Sequence, residues 1–337
     1  MRGEQVLRGE QVLRGEQVKQ VKARVVFMGS PEFAVPALRA VAASCDVVRV
    51  VTQPDRPSGR GLEVHESAVA RAANELGLPV SRPQSMKDRS VIAELREADA
   101  SVFAVVAFGA ILTPEVLALP RAGCVNLHGS LLPEYRGASP VQRALWDGRT
   151  ETGVCTVFMD EGIDTGDVIG CRREAIRDDD DAASLAARLA DLGAPLLAES
   201  VVQAAAGRAP RAPQDRAAGS YAGKLRKEHG IVDWSLPARV VWSHARAVTP
   251  WPGAATTFRG KRVILTRTRP EVATTGGQPG SLLGSEDDGI RVACADGALR
   301  VLRLKPEGRA ELDAAEWARG ARPQPGERFE TLKEQTT

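Results

Sequence analysis

From Arg24 onward the chain alternates short apolar runs with stretches of helical character. Arg24–Ser30 (RVVFMGS) is a β-branched run closing on Gly29, as a strand buried on both faces reads. Pro31 stands where a helix can open, and FAVPALRAVAA continues with helix-forming residues. Asp46–Gln53 (DVVRVVTQ) is a second strand, followed by a Gly/Pro-rich loop, PDRPSGRG. His65–Leu76 reads as a helix, Ala100–Phe108 and Cys124–His128 as further strands, and Asp181–Val202 as an Ala/Leu-rich helix. Strand and helix alternating at this spacing predict βαβ units, hence an α/β fold with a doubly wound, mostly parallel sheet.

The pattern changes near residue 207. GRAPRAPQDRAAGS has Pro, Gly and charge but no apolar period, so residues 207–226 are expected to be a linker. Short β-like runs follow (ATTFRG, RVILTRT, GIRVACADG, ALRVLRL), separated by turn residues, with one helix near Pro237–Ala247 ahead of them. They predict a small, OB-like β-barrel over residues 227–331. At the other end, RGEQVL repeats from Arg2 and again from Arg8. Six residues do not return to one helix face, so residues 1–22 form a low-complexity extension. Residues 23–206 remain as the unit that carries the chemistry.

No run of eighteen apolar residues or secretory leader pattern occurs, so neither a membrane span nor export is expected. Five cysteines, odd in number and without a C-x-x-C pair, argue against a disulfide framework and a zinc site. They fit a reducing cytosol, with the cysteines as small buried apolar residues. The net charge of +2 hides an asymmetry: residues 207–337 hold 22 Lys and Arg against 15 Asp and Glu, the remainder 23 against 28. A basic back half points to a polyanionic partner.

The stretch richest in chemistry is Asn126-Leu127-His128-Gly129-Ser130-Leu131-Leu132-Pro133. In an extended chain Asn126 and His128 project to the same face. At the carboxyl end of a parallel strand an amide beside an imidazole can grip an oxygen that becomes negative. Met159–Asp167 (MDEGIDTGD) is a tight acidic loop, one of whose carboxylates could orient His128 or draw a proton from an amine. No G-x-G-x-x-G, Walker lysine, EF-hand spacing or G-x-S-x-G elbow is present. The residues alone therefore lead to an α/β enzyme with an Asn/His/acid site.

The strings themselves go further. NLHGSLLPEYRGASPVQRALWDG, ETGV and MDEGIDTGD resemble the folate-dependent formyltransferases. VFMGSPEFAVPAL, VTQPDRPSGRG, KLRKEHGIVDW and TPWPGA resemble the branch of that family acting on methionyl initiator tRNA. The likeness runs from about Arg24 to Phe329. It implies a formyl transfer from 10-formyltetrahydrofolate, needing no metal, to the α-amine of initiator methionyl-tRNA for translation initiation. It implies Asn126, His128 and Asp164 as catalytic residues, with Asp164 orienting His128, favouring its charged form and helping to remove the amine proton. Folate contacts implied are Ser130, Leu131, Leu132, Pro133, Phe108, Gly109 and Ile111. For tRNA the resemblance implies Arg56 and Arg60, and the basic back half offers Lys224, Arg226, Lys227, Arg259, Lys261, Arg262, Arg267 and Arg269. A cytoplasmic monomer is expected on the same ground. Two departures stand out. Leu62-Glu63-Val64-His65-Glu66 and Pro306–Glu311 replace lysine-bearing strings, which weakens phosphate attraction locally.

Overall fold

The computed structural model describes residues 22–58, 63–271, 277–286, 288–324 and 326–332. The RGEQVL repeats and Arg60 lie outside the described residues. The amino-terminal unit holds β1 (Arg24–Gly29), β2 (Asp46–Val51), β3 (Arg56–Ser58), β4 (Glu63–His65), β5 (Val80–Ser81), β6 (Val102–Val106), β7 (Cys124–His128), β8 (Glu151–Phe158) and β9 (Val168–Ala175). Its helices are α1 (Val35–Ser44), α2 (Ala68–Glu75), α3 (Arg89–Glu97), α4 (Pro114–Leu117), α5 (Pro140–Trp146) and α6 (Ala182–Ala205).

Seven strands form one sheet in the order β5-β2-β1-β6-β7-β8-β9. The first five are parallel, and β8 and β9 add an antiparallel edge. Alternation along the strands loads two cores. Val25, Phe27, Ala104, Val125 and Leu127 pack against α1, α2 and α6, while Val26, Met28, Phe103, Val105 and Cys124 pack against α3 and α4. Each fully buried large side chain contributes on the order of 1.5–3 kcal/mol. The two-sided burial explains why β1 and β6 read as unbroken apolar runs.

The C-terminal unit contains α7 (Ala238–Ala247), β10 (Ala254–Phe258), β11 (Lys261–Glu271), β12 (Leu282–Glu286), β13 (Gly289–Ala293), β14 (Ala298–Pro306), β15 (Leu312–Asp313) and α8 (Ala314–Ala321). The antiparallel sheet runs β10-β11-β14-β13-β12, with β15 on β14. The strip Arg328–Glu330 then bridges both edges: Glu330 pairs with Thr257, and Arg328 with Ser281 beside β12. The predicted barrel is thus closed by a late segment rather than by strand on strand.

Three expectations are corrected. PDRPSGRG is not a plain loop, because β3 and β4 pair antiparallel as a ribbon (Arg56 with His65, Ser58 with Glu63). His65 consequently belongs to a strand. The next helix starts at Ala68, where the Ser67 hydroxyl accepts from the Ala70 amide at 3.0 Å. Cys155 and Cys171 are not isolated thiols, for they form a disulfide. The β8–β9 register sets them directly opposite, with Cα atoms 4.1 Å apart, a pairing that sixteen residues of separation hide from spacing rules. The remaining cysteines Cys45, Cys124 and Cys294 are free and buried. Among the described residues no helix is long and apolar enough to cross a membrane.

The seam between the units is built by α5 and α7. His244 packs edge-on against Trp146 at 4.6 Å, its Nε2 donating to the His229 carbonyl at 2.7 Å. Arg246 stacks over Trp242 and donates to the Arg177 carbonyl at 2.8 Å. Burial holds the His244 imidazole below its ordinary value of 6.5. The folded state therefore keeps it neutral while the unfolded chain takes up a proton. Stability from this group is complete above pH 6.5 and falls as pH drops through that value toward the depressed folded one. Chemical unfolding at pH 7.5 and 5.5 should show a smaller acid loss in His244→Asn than in the parent; equal losses would contradict the assignment.

Candidate active site

Asn126 and His128 sit at the carboxyl end of β7, two residues apart, and both reach the acidic loop between β8 and β9. Asn126 Nδ2 donates to Asp164 Oδ1 at 3.2 Å. His128 Nδ1 lies 3.5 Å from Asp164 Oδ2. The Gly137 amide also donates to Oδ2, at 2.9 Å. The far nitrogen of His128, Nε2, is 2.9 Å from the Tyr135 carbonyl. A carbonyl only accepts, so a neutral ring keeps its proton on Nε2 and turns a bare Nδ1 toward Asp164. His128 is buried and Asp164 half-buried.

The loop carrying Asp164 is tightly specified. Asp160 Oδ1 accepts from the Gly162 amide at 3.0 Å and the Thr165 hydroxyl at 2.7 Å. A side chain at Gly166 would put its Cβ 1.8 Å from the Phe158 carbonyl oxygen, so only glycine closes the turn. Asp164 itself takes φ +54°, a left-handed backbone that few side chains adopt without support. Of the four acids in MDEGIDTGD, the structure sets Asp164 against the Asn/His pair and Asp160 inside the turn.

The folate candidates lie on two loops leaving neighbouring strands. Phe108, Gly109 and Ile111 follow β6; Ser130–Pro133 follow β7; the strands pair in parallel with Val106 beside Leu127. Their exposures differ sharply. Ser130 is fully buried, its hydroxyl donating to the Glu134 carbonyl at 2.6 Å, and Phe108 is buried too. Ile111 is 90% exposed, and Leu131, Leu132 and Pro133 are half-buried. Ser130 and Phe108 are thus enclosed within the loops, while Ile111, Leu132 and Pro133 leave apolar surface accessible. Among the described residues no group of three or more His, Cys, Asp or Glu could hold a metal ion.

Residues 23–201 match the Formyl transferase family, and residues 224–322 match its C-terminal domain. A methionyl-tRNA formyltransferase of Geobacter metallireducens is 44% identical over 306 residues, covering 90% of this chain and 98% of that protein. That of Myxococcus xanthus is 44% identical over 305 residues, covering 90% and 97%. The chain belongs to the methionyl-tRNA formyltransferase family.

Solved structures agree on the fold of this formyltransferase. An N-formyltransferase from Helicobacter canadensis, solved with folinic acid and dTDP-3-aminofucose, aligns with TM-score 0.61 at 16% identity over 87% of this chain and all of that one. HypX from Aquifex aeolicus, solved with tetrahydrofolic acid, aligns with TM-score 0.59 at 19% identity over 93% of this chain and 51% of that one.

The basic candidates of the formyltransferase divide into separate places. Lys224 and Arg226, the latter paired with Glu228 at 2.7 Å, line a groove of about 560 Å³ at the seam, together with Arg143, Trp146, Tyr221 and His229. Lys261 and Arg262 line another, of about 510 Å³, on the C-terminal unit. Lys227 is exposed beside the first groove. Arg259 is committed to Glu327 through two 2.7 Å bonds, and Arg269 to Asp288. Arg267 lines a third cavity, which carries Asp178–Asp181 on another wall. For Arg56 only the backbone, in the β3–β4 ribbon, is described. Sequence reading passed over Arg143, Trp146 and Tyr221, because the grooved surface exists only once α5 meets the chain after residue 220. Tyr221, 63% exposed, was legible only as an isolated aromatic in a polar stretch.

Proposed function

We propose that the chain transfers the formyl group of 10-formyltetrahydrofolate to the α-amino group of methionyl initiator tRNA, giving formylmethionyl-tRNA and tetrahydrofolate. The observation that carries the site assignment is the convergence of two nitrogens, Asn126 Nδ2 and His128 Nδ1, on the Asp164 carboxylate. Attack of the amine on the formyl carbon turns the formyl oxygen into an oxyanion. Asn126 and, once protonated, His128 can share their N–H groups between Asp164 and that oxygen. One preorganised donor of this kind is worth ~10²–10³ in rate. Asp164 orients the imidazole, balances its positive charge and receives the proton the amine sheds, a contribution of roughly 10²–10⁴. Collapse breaks the carbon–nitrogen bond to the folate, whose nitrogen leaves with a proton. Ile111, Leu132 and Pro133 flank the donor ring on this reading, and the chain works as a cytoplasmic monomer of two folded units joined through residues 207–226.

The acceptor end of the tRNA enters along the seam groove. Lys224 and Arg226 neutralise phosphates there, and Tyr221 and Trp146 supply aromatic surface against single-stranded bases. Lys227, Lys261 and Arg262 extend the basic track. Lys224→Ala should weaken tRNA binding to all sequences alike and lower the slope of log affinity against log salt by about 1. An unchanged slope would remove Lys224 from the interface. The function itself is tested by offering formyl-folate with three amines: methionyl initiator tRNA, glycinamide ribonucleotide and an amino-sugar nucleotide. Formylation of a small amine alone would overturn the tRNA reading.

A further inference from the structure

The segment after residue 207 reads as a featureless connector, yet residues 212–222 run as a strap across the catalytic loops. Ala212 pairs with Val168 of β9, and Tyr221 with Arg136. The Ser220 hydroxyl accepts from the Tyr135 amide at 3.0 Å and donates to Glu134 at 2.7 Å. Gly219, at φ +91°, passes so close to Pro133 that a Cβ would sit 2.1 Å from its carbonyl oxygen. The strap thus lies on the backbone of the HGSLLPEYRG loop.

One of its side chains, Gln214, fastens it to Asp164, and Arg136 locks that side chain in turn. The Gln214 amide nitrogen donates to the Asp164 carbonyl at 2.9 Å and to the Gly166 carbonyl at 2.7 Å. Its amide oxygen accepts from Arg136 Nε at 3.2 Å and Nη2 at 3.0 Å. Arg136 is only 9% exposed and spends its remaining donors on the carbonyls of Asp215, Arg216 and Ala218. Gln214 therefore has both donors and its acceptor in use, which fixes the amide orientation. It clamps the carbonyl of Asp164, a residue in the left-handed region where the backbone needs outside support, and that of Gly166 two positions on.

We infer that Gln214, locked by Arg136, is a positioning residue that sets the direction of the Asp164 carboxylate toward Asn126 and His128. The inference rests on the proposed role of Asp164. The carbonyl and the side chain of Asp164 leave the same Cα, so releasing one lets the other swing. Neither Gln214 nor Arg136 needs to touch substrate.

Gln214→Glu separates this role from a merely structural one. The carboxylate keeps an acceptor for Arg136 but loses the donors and sets negative oxygen against two carbonyls. Steady-state transfer to methionyl initiator tRNA should lose on the order of 10- to 100-fold in kcat, with KM for formyl-folate and tRNA nearly unchanged. Gln214→Ala should behave alike. In an Asp164→Asn background Gln214→Glu should change the residual rate by less than about 2-fold, because both act through one carboxylate. Arg136→Lys, which keeps the charge but loses the fork, should give a smaller kcat loss of the same kind and supplies the test where a Gln214 variant fails to fold. Parent-like kcat in folded Gln214→Glu, or a loss undiminished in the Asp164→Asn background, would overturn the inference. A parent chain that formylates no methionyl-tRNA would count instead against the proposed function.

Discussion

Asn126→Ala is expected to lower kcat for formyl transfer by ~10²–10³-fold while the protein stays folded. The size follows from where charge appears. The formyl oxygen is a weak acceptor in the donor and a strong one in the tetrahedral species, so a fixed N–H stabilises the second more than the first. Asn126 donates at 3.2 Å to Asp164 and is half-buried at the strand end. Its backbone remains held in β7 between β6 and β8 whatever the side chain. Truncation thus removes a donor without removing a core residue. Measured at saturating formyl-folate and methionyl initiator tRNA, a rate within about 3-fold of the parent would exclude Asn126 from oxyanion stabilisation. His128→Ala is a less clean comparison, because that ring also ties Tyr135 to the strand.

The largest stability effect is expected at Phe329. It is 1% exposed and lies against Trp234, Trp317 and Phe258, with ring centroids 5.7–5.9 Å away. Its amide donates to the Gly280 carbonyl at 2.8 Å, and the next residue pairs with Thr257 in both directions. One side chain therefore anchors the strip that joins the two edges of the C-terminal sheet. Phe329→Ala should cost ~3–5 kcal/mol, a phenylalanine-sized cavity with little freedom to collapse. Against a total of roughly 5–15 kcal/mol that is a large fraction. Guanidinium unfolding followed by tryptophan fluorescence reads it directly, since Trp234 and Trp317 line the cavity. A midpoint equal to the parent's would mean that the strip is not part of the cooperative fold. Impaired tRNA binding should accompany the loss, because Lys261 and Arg262 are carried on β11, which pairs with the tied strand β10.

The strands β1, β2, β6 and β7 were legible because burial on both faces keeps them mostly apolar, with polar residues only at Arg24, Asp46, Arg49, Asn126 and His128. The Asn-x-His spacing was legible because alternation in a strand is local geometry. The same locality explains what was missed. β9 carries Arg and Glu at the sheet edge and β8 interrupts its apolar run with Thr152, Gly153 and Thr156, and their pairing places Cys155 opposite Cys171 across a hairpin that no short-range spacing encodes. The PDRPSGRG turn residues announced a reversal but not that its flanks would pair. Gln214 gave no signal at all, since its three partners come from loops 48, 50 and 78 positions away in the chain.

The sequence by itself determined the parallel core, the two-unit division of apolar pattern and the residue types able to hold an oxyanion, because each depends on neighbours within a strand or helix. Only the tertiary structure decided which of four acids meets the Asn/His pair, which arginines are committed to carboxylates, and that a connector is bonded to the loop carrying Asp164. Those outcomes depend on hydrogen bonds and charges between distant segments, whose geometry exists only after the sheet and the seam have packed.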